Sequence, residues 1–338
     1  MLRIESVHTY DSIISVENLL GAWREFIRGK RQRKDVQIFQ MNLMDNILQL
    51  HGDLKNKTYE HGVYQAFNVS DPKPRNIHKA TVRDRLLHHA LYRYLYPLYD
   101  QTFVADSYSC RNGKGTHRAL DRFADFSRQA SVNHTQTVWV LKCDVRKFFA
   151  SIDHEILLVL LNKRITDVDT LGLLSTIIRS FETKPGKGLP LGNLTSQLLV
   201  NIYMDMFDQW IKRDMKVMHY IRYADDFVIL HQDRKYLLKI VRYIVLFLRR
   251  ELSLELHPDK VSITTFASGV DFLGWVHFPH ERVLRTSTKR RVLRGLNNTE
   301  SNPAVVQSYQ GLLAHGDTHG LLRIAKELSF LYKTLYNA

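Results

Sequence analysis

His219-Tyr-Ile-Arg-Tyr-Ala-Asp-Asp-Phe-Val-Ile-Leu230 sets two short apolar runs around a polar step, Ala224-Asp225-Asp226. The pattern predicts a β-hairpin with two adjacent carboxylates at its tip. Aspartates at hairpin tips are often plain turn formers, because their side chains bond local backbone N–H groups. These flanking runs, however, read as central strands, where neighbouring carboxylates repel one another unless something compensates them. The β-branched and aromatic stretch Thr137-Val-Trp-Val-Leu-Lys-Cys-Asp144 is the clearest strand in the chain, and it too ends on a carboxylate. Three carboxylates on neighbouring strand ends can hold two Mg²⁺ ions about 3.5–4 Å apart, the arrangement that activates a hydroxyl and stabilises the leaving oxygens in phosphoryl transfer.

Outward from these strands the chain reads as helical. Ile13 to Ile27 and Val36 to Leu50 follow a helical period, separated by the basic run Arg28, Lys30, Arg31, Arg33 and Lys34, which suits either a solvated face or phosphate contact. Asp71-Pro72-Lys73-Pro74-Arg75 is turn chemistry. A helix is expected from Thr81 to Leu98, stopped by Pro97, and another from Thr116 to Arg128. Helices at about 153–163 and 169–181 precede the Gly/Pro-rich loop Pro185 to Gly192 and a long helix from about 195 to 213. Asp153 reads as a helix cap. After the hairpin come a helix over about 233–252, strands near 261–267 and 270–278, and a helical last sixty residues broken at His315 to Gly320. Helices and antiparallel strands mix without strict alternation, so the fold class is α+β.

The chain has 338 residues, 44% of them hydrophobic, enough for two or three compact units. Lys plus Arg outnumber Asp plus Glu by 48 to 34, a net charge of +14 that favours a polyanionic partner, nucleic acid before membrane surface. Two cysteines, Cys110 and Cys143, exclude a disulfide framework and a zinc cluster. No 18-residue apolar run and no signal core occurs, so a cytoplasmic protein without membrane association is expected.

Tyr223-Ala-Asp-Asp226 resembles the signature of reverse transcriptases, and supporting motifs stand in that family's order. Asp144-Val-Arg-Lys-Phe-Phe149 resembles the first catalytic-aspartate motif, and Gly188-Leu-Pro-Leu-Gly-Asn-Leu-Thr-Ser-Gln197 the substrate-facing loop and helix. Asp259-Lys260 resembles the lysine-bearing motif and Phe272-Leu273-Gly274 the primer-grip turn. Lys73 to Arg85 and Ser109 to Leu120 resemble fingers motifs of bacterial group II intron-like enzymes, and Ser308 to His315 carries a weaker thumb-like echo. The resemblance covers roughly residues 70–278. It implies a right-hand polymerase with an N-terminal extension and fingers over 1–140, a palm over 141–280 and a short helical thumb over 281–338.

Most of the family reads Gln-Gly-x-x-x-Ser-Pro where this chain reads Leu191-Gly192-Asn-Leu-Thr-Ser196-Gln197. Replacement of both outer residues resembles the reverse transcriptases of diversity-generating retroelements, which copy a template-repeat RNA with errors concentrated at adenines. An apolar Leu191 cannot offer the polar contact of a glutamine, and a contact worth about 1–3 kcal/mol shifts error rates by roughly one to two decades. The alternative for Leu191 is a packing residue behind a helix start.

By matching motif, Asp144, Asp225 and Asp226 are the expected metal ligands, with Val145 beside them, for two Mg²⁺ ions. Phe149 matches the steric gate that rejects a 2′-hydroxyl, with an ordinary core aromatic as the competing reading. Lys73, Arg75 and Lys79 are the expected triphosphate clamp, Arg75 first. Leu191, Gly192 and Gln197 are expected to face the nucleotide, and Lys260 either donates a proton to pyrophosphate or steadies the hairpin. Expected partners are template RNA, an RNA/DNA primer duplex, deoxynucleoside triphosphates and a small, basic, oligomeric accessory protein. Two rivals stand beside this reading: a reverse transcriptase of another bacterial lineage, such as a group II intron-like, retron or phage-defence enzyme, and a non-catalytic RNA-binding protein with the same fold.

Overall fold

The computed structural model describes residues 9–70, 74–297 and 303–336; Lys73 lies outside them. The chain opens with α1 (Tyr10–Ile14), α2 (Val16–Phe26), α3 (Lys34–Met41) and α4 (Leu43–Lys55). Strands β1 (Gln65–Val69) and β2 (Arg75–Lys79) precede α5 (Val82–Asp100) and α6 (Thr116–Ala130). Then follow β3 (Trp139–Asp144), α7 (Phe148–Ser151), α8 (His154–Asn162), α9 (Val168–Arg179) and α10 (Leu194–Gln209), which runs on as a π-helical turn, Trp210–Asp214. Next come β4 (Tyr220–Tyr223), β5 (Asp226–His231), α11 (Arg234–Leu252), β6 (Ser262–Thr265), β7 (Val270–Phe272), β8 (Trp275–His277) and β9 (Arg282–Leu284). Helices α12 (Thr286–Asn297), α13 (Pro303–Leu313) and α14 (His319–Tyr336) end the described chain. No helix of the described residues is long and apolar enough to cross a membrane.

Two compact units result. The first gathers the chain up to Arg111 with Val145–Val217 and Tyr243–His257. Its axis is α5, whose Leu86, Leu87, Ala90 and Leu91 are fully buried where α2 and α10 pack on it. Thr81 caps α5 by accepting from the Asp84 N–H. The second unit holds Asn112–Asp144, Met218–Arg242 and the chain from Pro258 onward. Its centre is an antiparallel sheet in the order β4-β5-β3-β6, on which α6 lays the face carrying Leu120, Phe123 and Phe126. Phe227, Val228, Ile229 and Leu230 of β5 are all buried, which is why that strand reads as an unbroken apolar run rather than an alternation. The sheet β7-β8-β9 and helices α12 to α14 belong to the same unit.

Several expectations change. Pro97 does not stop its helix: α5 continues to Asp100. Burial of Leu95, Tyr96 and Tyr99 along the same helix offsets the roughly 3 kcal/mol that an interior proline costs. The segment 36–50 divides into α3 and α4 because Asn42 leaves the helical region, at φ −117° and ψ 44°. The strand expected over 270–278 is a tight hairpin, with Leu273 and Gly274 at φ 51° and 87°. That pair of positive φ values is the signature of a two-residue turn whose twist matches the strands. β1 and β2 pair antiparallel on either side of the proline-containing stretch, a hairpin that its exposed, weakly patterned residues conceal.

Asp153 caps α8 as expected, its carboxylate accepting from the N–H groups of Glu155 and Ile156 at 3.1 and 3.3 Å. Asp153→Ala is expected to cost about 1 kcal/mol in urea unfolding, while Asp153→Asn keeps most of the stability because an amide oxygen caps equally well.

Candidate active site

Register brings the carboxylates together. Strand β3 pairs with β5 so that Asp144 faces Asp226, and β4 pairs with β5 so that Tyr223 faces Asp226. The hairpin between β4 and β5 has only Ala224 and Asp225 at its turn, with Ala224 held at φ 55°. A non-glycine residue there is uncommon and mildly strained. The guanidinium of buried Arg222 steadies the turn by donating to the Ala224 carbonyl at 3.1 Å, and Thr116 Oγ1 donates to the Tyr223 hydroxyl at the same distance.

The electrostatics follow from this packing. Burial, then the neighbouring charge of Asp225 and of Asp144, pushes the Asp226 carboxyl up to about 6, against a partial counterweight from Lys142. Asp144 is itself buried and receives the Lys260 ammonium at 3.0 Å from each carboxylate oxygen. Lys142, two residues before Asp144 and so on the same face of β3, donates to the Asp271 carbonyl at 2.6 Å. Lys142 and Arg222 stand outside the motifs that the sequence presents. The spacing of two on a strand was the signal for the first, whereas Arg222, a charge within an apolar run, had only its incongruity.

Among the described residues, no three side chains converge as a preformed metal cage. The donor set nevertheless fits a hard divalent cation. Asp144 and Asp226 converge with Asp225 beside them, and Mg²⁺ is ordinarily held by one or two carboxylates together with substrate phosphates and water. Val145 is buried and forms an isolated bridge with Leu256. At the β7–β8 turn Phe272 is buried beside Phe123, which leaves Leu273 and Gly274 as the more accessible part of that motif.

Phe149, the loop Gly188–Gln197 and strand β2 gather in the first unit. Phe148 is buried and Phe149 half-exposed, so of the adjacent rings it is Phe149 that remains accessible. The Phe149 carbonyl accepts from the Leu189 N–H at 2.8 Å, and the Leu191 carbonyl accepts from the His78 N–H of β2 at 3.0 Å. Asn193 closes the stitch by donating to the His78 carbonyl at 2.8 Å. Gly192 sits at φ 107°, where an added Cβ would lie 2.7 Å from Ile77 Cγ2, so only glycine fits. Beside it opens a cavity of about 320 Å³ with Lys30, Arg33, Lys79, Arg85, Gly192 and Gln197 among its lining. Lys79 and Arg85 both pair with Asp35, at 2.7 and 2.5 Å. Burial works against the Asp35 charge, but these two cations hold its carboxyl below the usual range. Arg75 stands exposed at the start of β2.

Residues 68–277 match the family described as Reverse transcriptase (RNA-dependent DNA polymerase). Protein YkfC of Escherichia coli K12 is 25% identical over 243 residues, covering 61% of this chain and 63% of that protein. The group II intron-encoded protein LtrA of Lactococcus lactis subsp. cremoris is 23% identical over 287 residues, covering 65% of this chain and 46% of that one. Telomerase from Candida albicans shares the fold with a TM-score of 0.53 at 10% identity, over 84% of this chain and 58% of that one. The right-hand polymerase fold is therefore common to both, while the chain spans less than two thirds of each of these relatives. With the three aspartates and the clamped loop all inside the matched span, this chain belongs to the reverse transcriptase family.

Proposed function

We propose that this chain is an RNA-directed DNA polymerase of a diversity-generating retroelement, making error-prone cDNA from a template-repeat RNA. The observation that carries the polymerase reading is the pairing of Asp144 with Asp226 across β3 and β5, with Asp225 on the adjoining turn. These carboxylates would hold two Mg²⁺ ions, which supply activation of the primer 3′-hydroxyl and neutralise charge on the phosphates. The protein's own share is positioning. Lys260 keeps the Asp144 carboxylate aligned, Arg75, Lys73 and Lys79 offer cations to the triphosphate, Phe149 sets the limit on the sugar, and Leu273-Gly274 supports the primer end. In this reading 1–140 are extension and fingers, 141–280 palm and 281–338 thumb, and a small basic accessory protein is a further partner.

Leu191 and Gln197, at the positions usually held by glutamine and proline, support the retroelement reading. Leu191 is half-buried on a loop whose backbone is pinned on both sides, so its side chain presents hydrocarbon where a polar contact is expected. A faithful reverse transcriptase of another bacterial lineage is the competing outcome of the same experiment.

Primer extension on a defined RNA template with Mg²⁺, followed by sequencing of the cDNA, tests both layers. Asp225→Ala is expected to lower extension about 1,000-fold or more, some 4 kcal/mol of transition-state stabilisation. Retention of activity in that variant overturns the assignment of the carboxylates. Wild-type cDNA is expected to be rich in errors opposite template adenine, and Leu191→Gln to reduce those errors by about tenfold. Uniformly accurate cDNA replaces the retroelement reading with that of another lineage.

The crowded carboxylates also predict a pH signature. Asp226 in the folded, metal-free chain holds its proton up to about 6, whereas in the unfolded chain it releases it near its ordinary value of 3.8. Between those values the folded state binds more protons, so this group makes stability fall as pH rises. Asp226→Asn is therefore expected to raise the melting temperature of the metal-free protein at pH 7.5, with the gain vanishing near pH 4, while polymerisation is lost. Thermal melts in EDTA at the two pH values measure it.

A further inference from the structure

A second pocket shares no residue with the carboxylate cluster or the substrate loop. It lies in the first unit at the far end of α10, about 18 Å along the helix axis from Gln197 at 1.5 Å per residue. Its volume is about 280 Å³, near the lower end of small-molecule sites. Tyr99, Trp210 and Phe247 give it aromatic walls, with Trp210 and Phe247 stacked at 4.3 Å between centroids. Lys163, Arg164 and Arg213 also line it, and among the described residues none of the three is in an ion pair. Asp205 and Asp214 are the carboxylates of the lining.

Two features mark it as built for a ligand. The side-chain nitrogen of Gln209 donates to the Thr102 carbonyl and to Asp205, each at 2.9 Å. Those two acceptors fix the orientation of the amide, and leave its buried oxygen without a partner among the described residues. The second feature is the π-helical turn. Lining residues come from rows spaced by four, Asp205, Gln209, Arg213 and Met206, Trp210, Asp214. In a regular α-helix such a row drifts about 40° per step. The wider turn, closed by the Met215 N–H on the Trp210 carbonyl at 3.0 Å, counters that drift and keeps the last members on the pocket.

The geometry points to a nucleotide site separate from polymerisation. A flat base fits against the aromatic walls, its phosphate meets the cations, and its N–H edge answers the unpaired Gln209 oxygen with the Asp205 carboxylate alongside. Two neighbouring acceptors favour guanine, which presents N1–H and N2–H side by side, over adenine. The base can come from a free mononucleotide or from an unstacked residue of single-stranded RNA.

The full chain is titrated with GMP, AMP and inorganic phosphate in EDTA, with tryptophan emission and calorimetry as readouts. Saturable GMP binding at least tenfold tighter than AMP or phosphate is expected, with the emission change lost in Trp210→Phe. Lys163→Ser/Arg213→Ser, two exposed positions, is expected to weaken GMP at least tenfold. Gln209→Met is expected to remove most of the preference for GMP over AMP. A heptaribonucleotide UUUGUUU separates the sources: binding ten times tighter than GMP, and lost in the double variant, identifies RNA, whereas affinity equal to GMP identifies the free nucleotide. No saturable binding, phosphate binding as tightly as GMP, or unchanged affinity in the folded double variant overturns the proposal.

Discussion

The β3–β5 register is the constraint on which this protein turns. It sets Asp144 opposite Asp226 in a sheet whose central stretch, Val140, Leu141, Cys143 and Phe227 to Leu230, is apolar and buried. Side chains alternate faces along a strand, so a slip of one residue would send Asp226 to the opposite face. The two-residue turn at Ala224-Asp225 fixes β5 on β4, burial of both strands' apolar residues holds β5 on β3, and the positive φ at Ala224 is sustained by the Arg222 guanidinium, which donates to its carbonyl. A local backbone cost of about 1–2 kcal/mol is thereby exchanged for fixed placement of two carboxylates.

Repulsion among those carboxylates is the necessary companion of that placement. Lys142 and Lys260 offset part of it, one beside Asp226 and the other on Asp144, but neither replaces a divalent charge. Without metal the burial and mutual repulsion keep the Asp226 proton on well above the ordinary carboxylate range. An apolar sheet is what makes the arrangement tolerable, because the burial of Cys143, Phe227, Val228 and Ile229 fixes the backbone independently of the charges it carries. Stability and site chemistry are in tension at one residue while the rest of the strand supplies the surplus.

Legibility in the sequence divides along the same line. The β4–β5 hairpin, the strand ending on Asp144 and the Asp153 cap are local patterns, and each stands where its period or turn chemistry puts it. Pro97 misled because tertiary burial of Tyr96 and Tyr99 outweighs a local rule. The β1–β2 pair and β9 escaped, and 270–278 reads as one strand rather than the β7–β8 hairpin, because strands of three to five residues carry too few positions for an alternation or a turn to stand out. The same limit hid Arg222, whose partner is the backbone of a turn, and the partnership of Lys79 with Asp35, which joins residues more than forty positions apart. Phe272 illustrates a motif whose residues divide their labour: the ring anchors in the core beside Phe123, while Leu273 and Gly274 form the turn.

The loop from Leu189 to Asn193 keeps its path without help from the side chain at 191. Its course is set by backbone bonds at both ends, Leu189 to Phe149 and Leu191 to His78, together with the glycine that Ile77 demands at position 192. None of these bonds uses the side chain at 191. A leucine there leaves the loop path unchanged and alters only what the loop presents, since an apolar group can fill space but cannot donate or accept. A loop held by its main chain can therefore exchange the side chain it presents and keep its architecture.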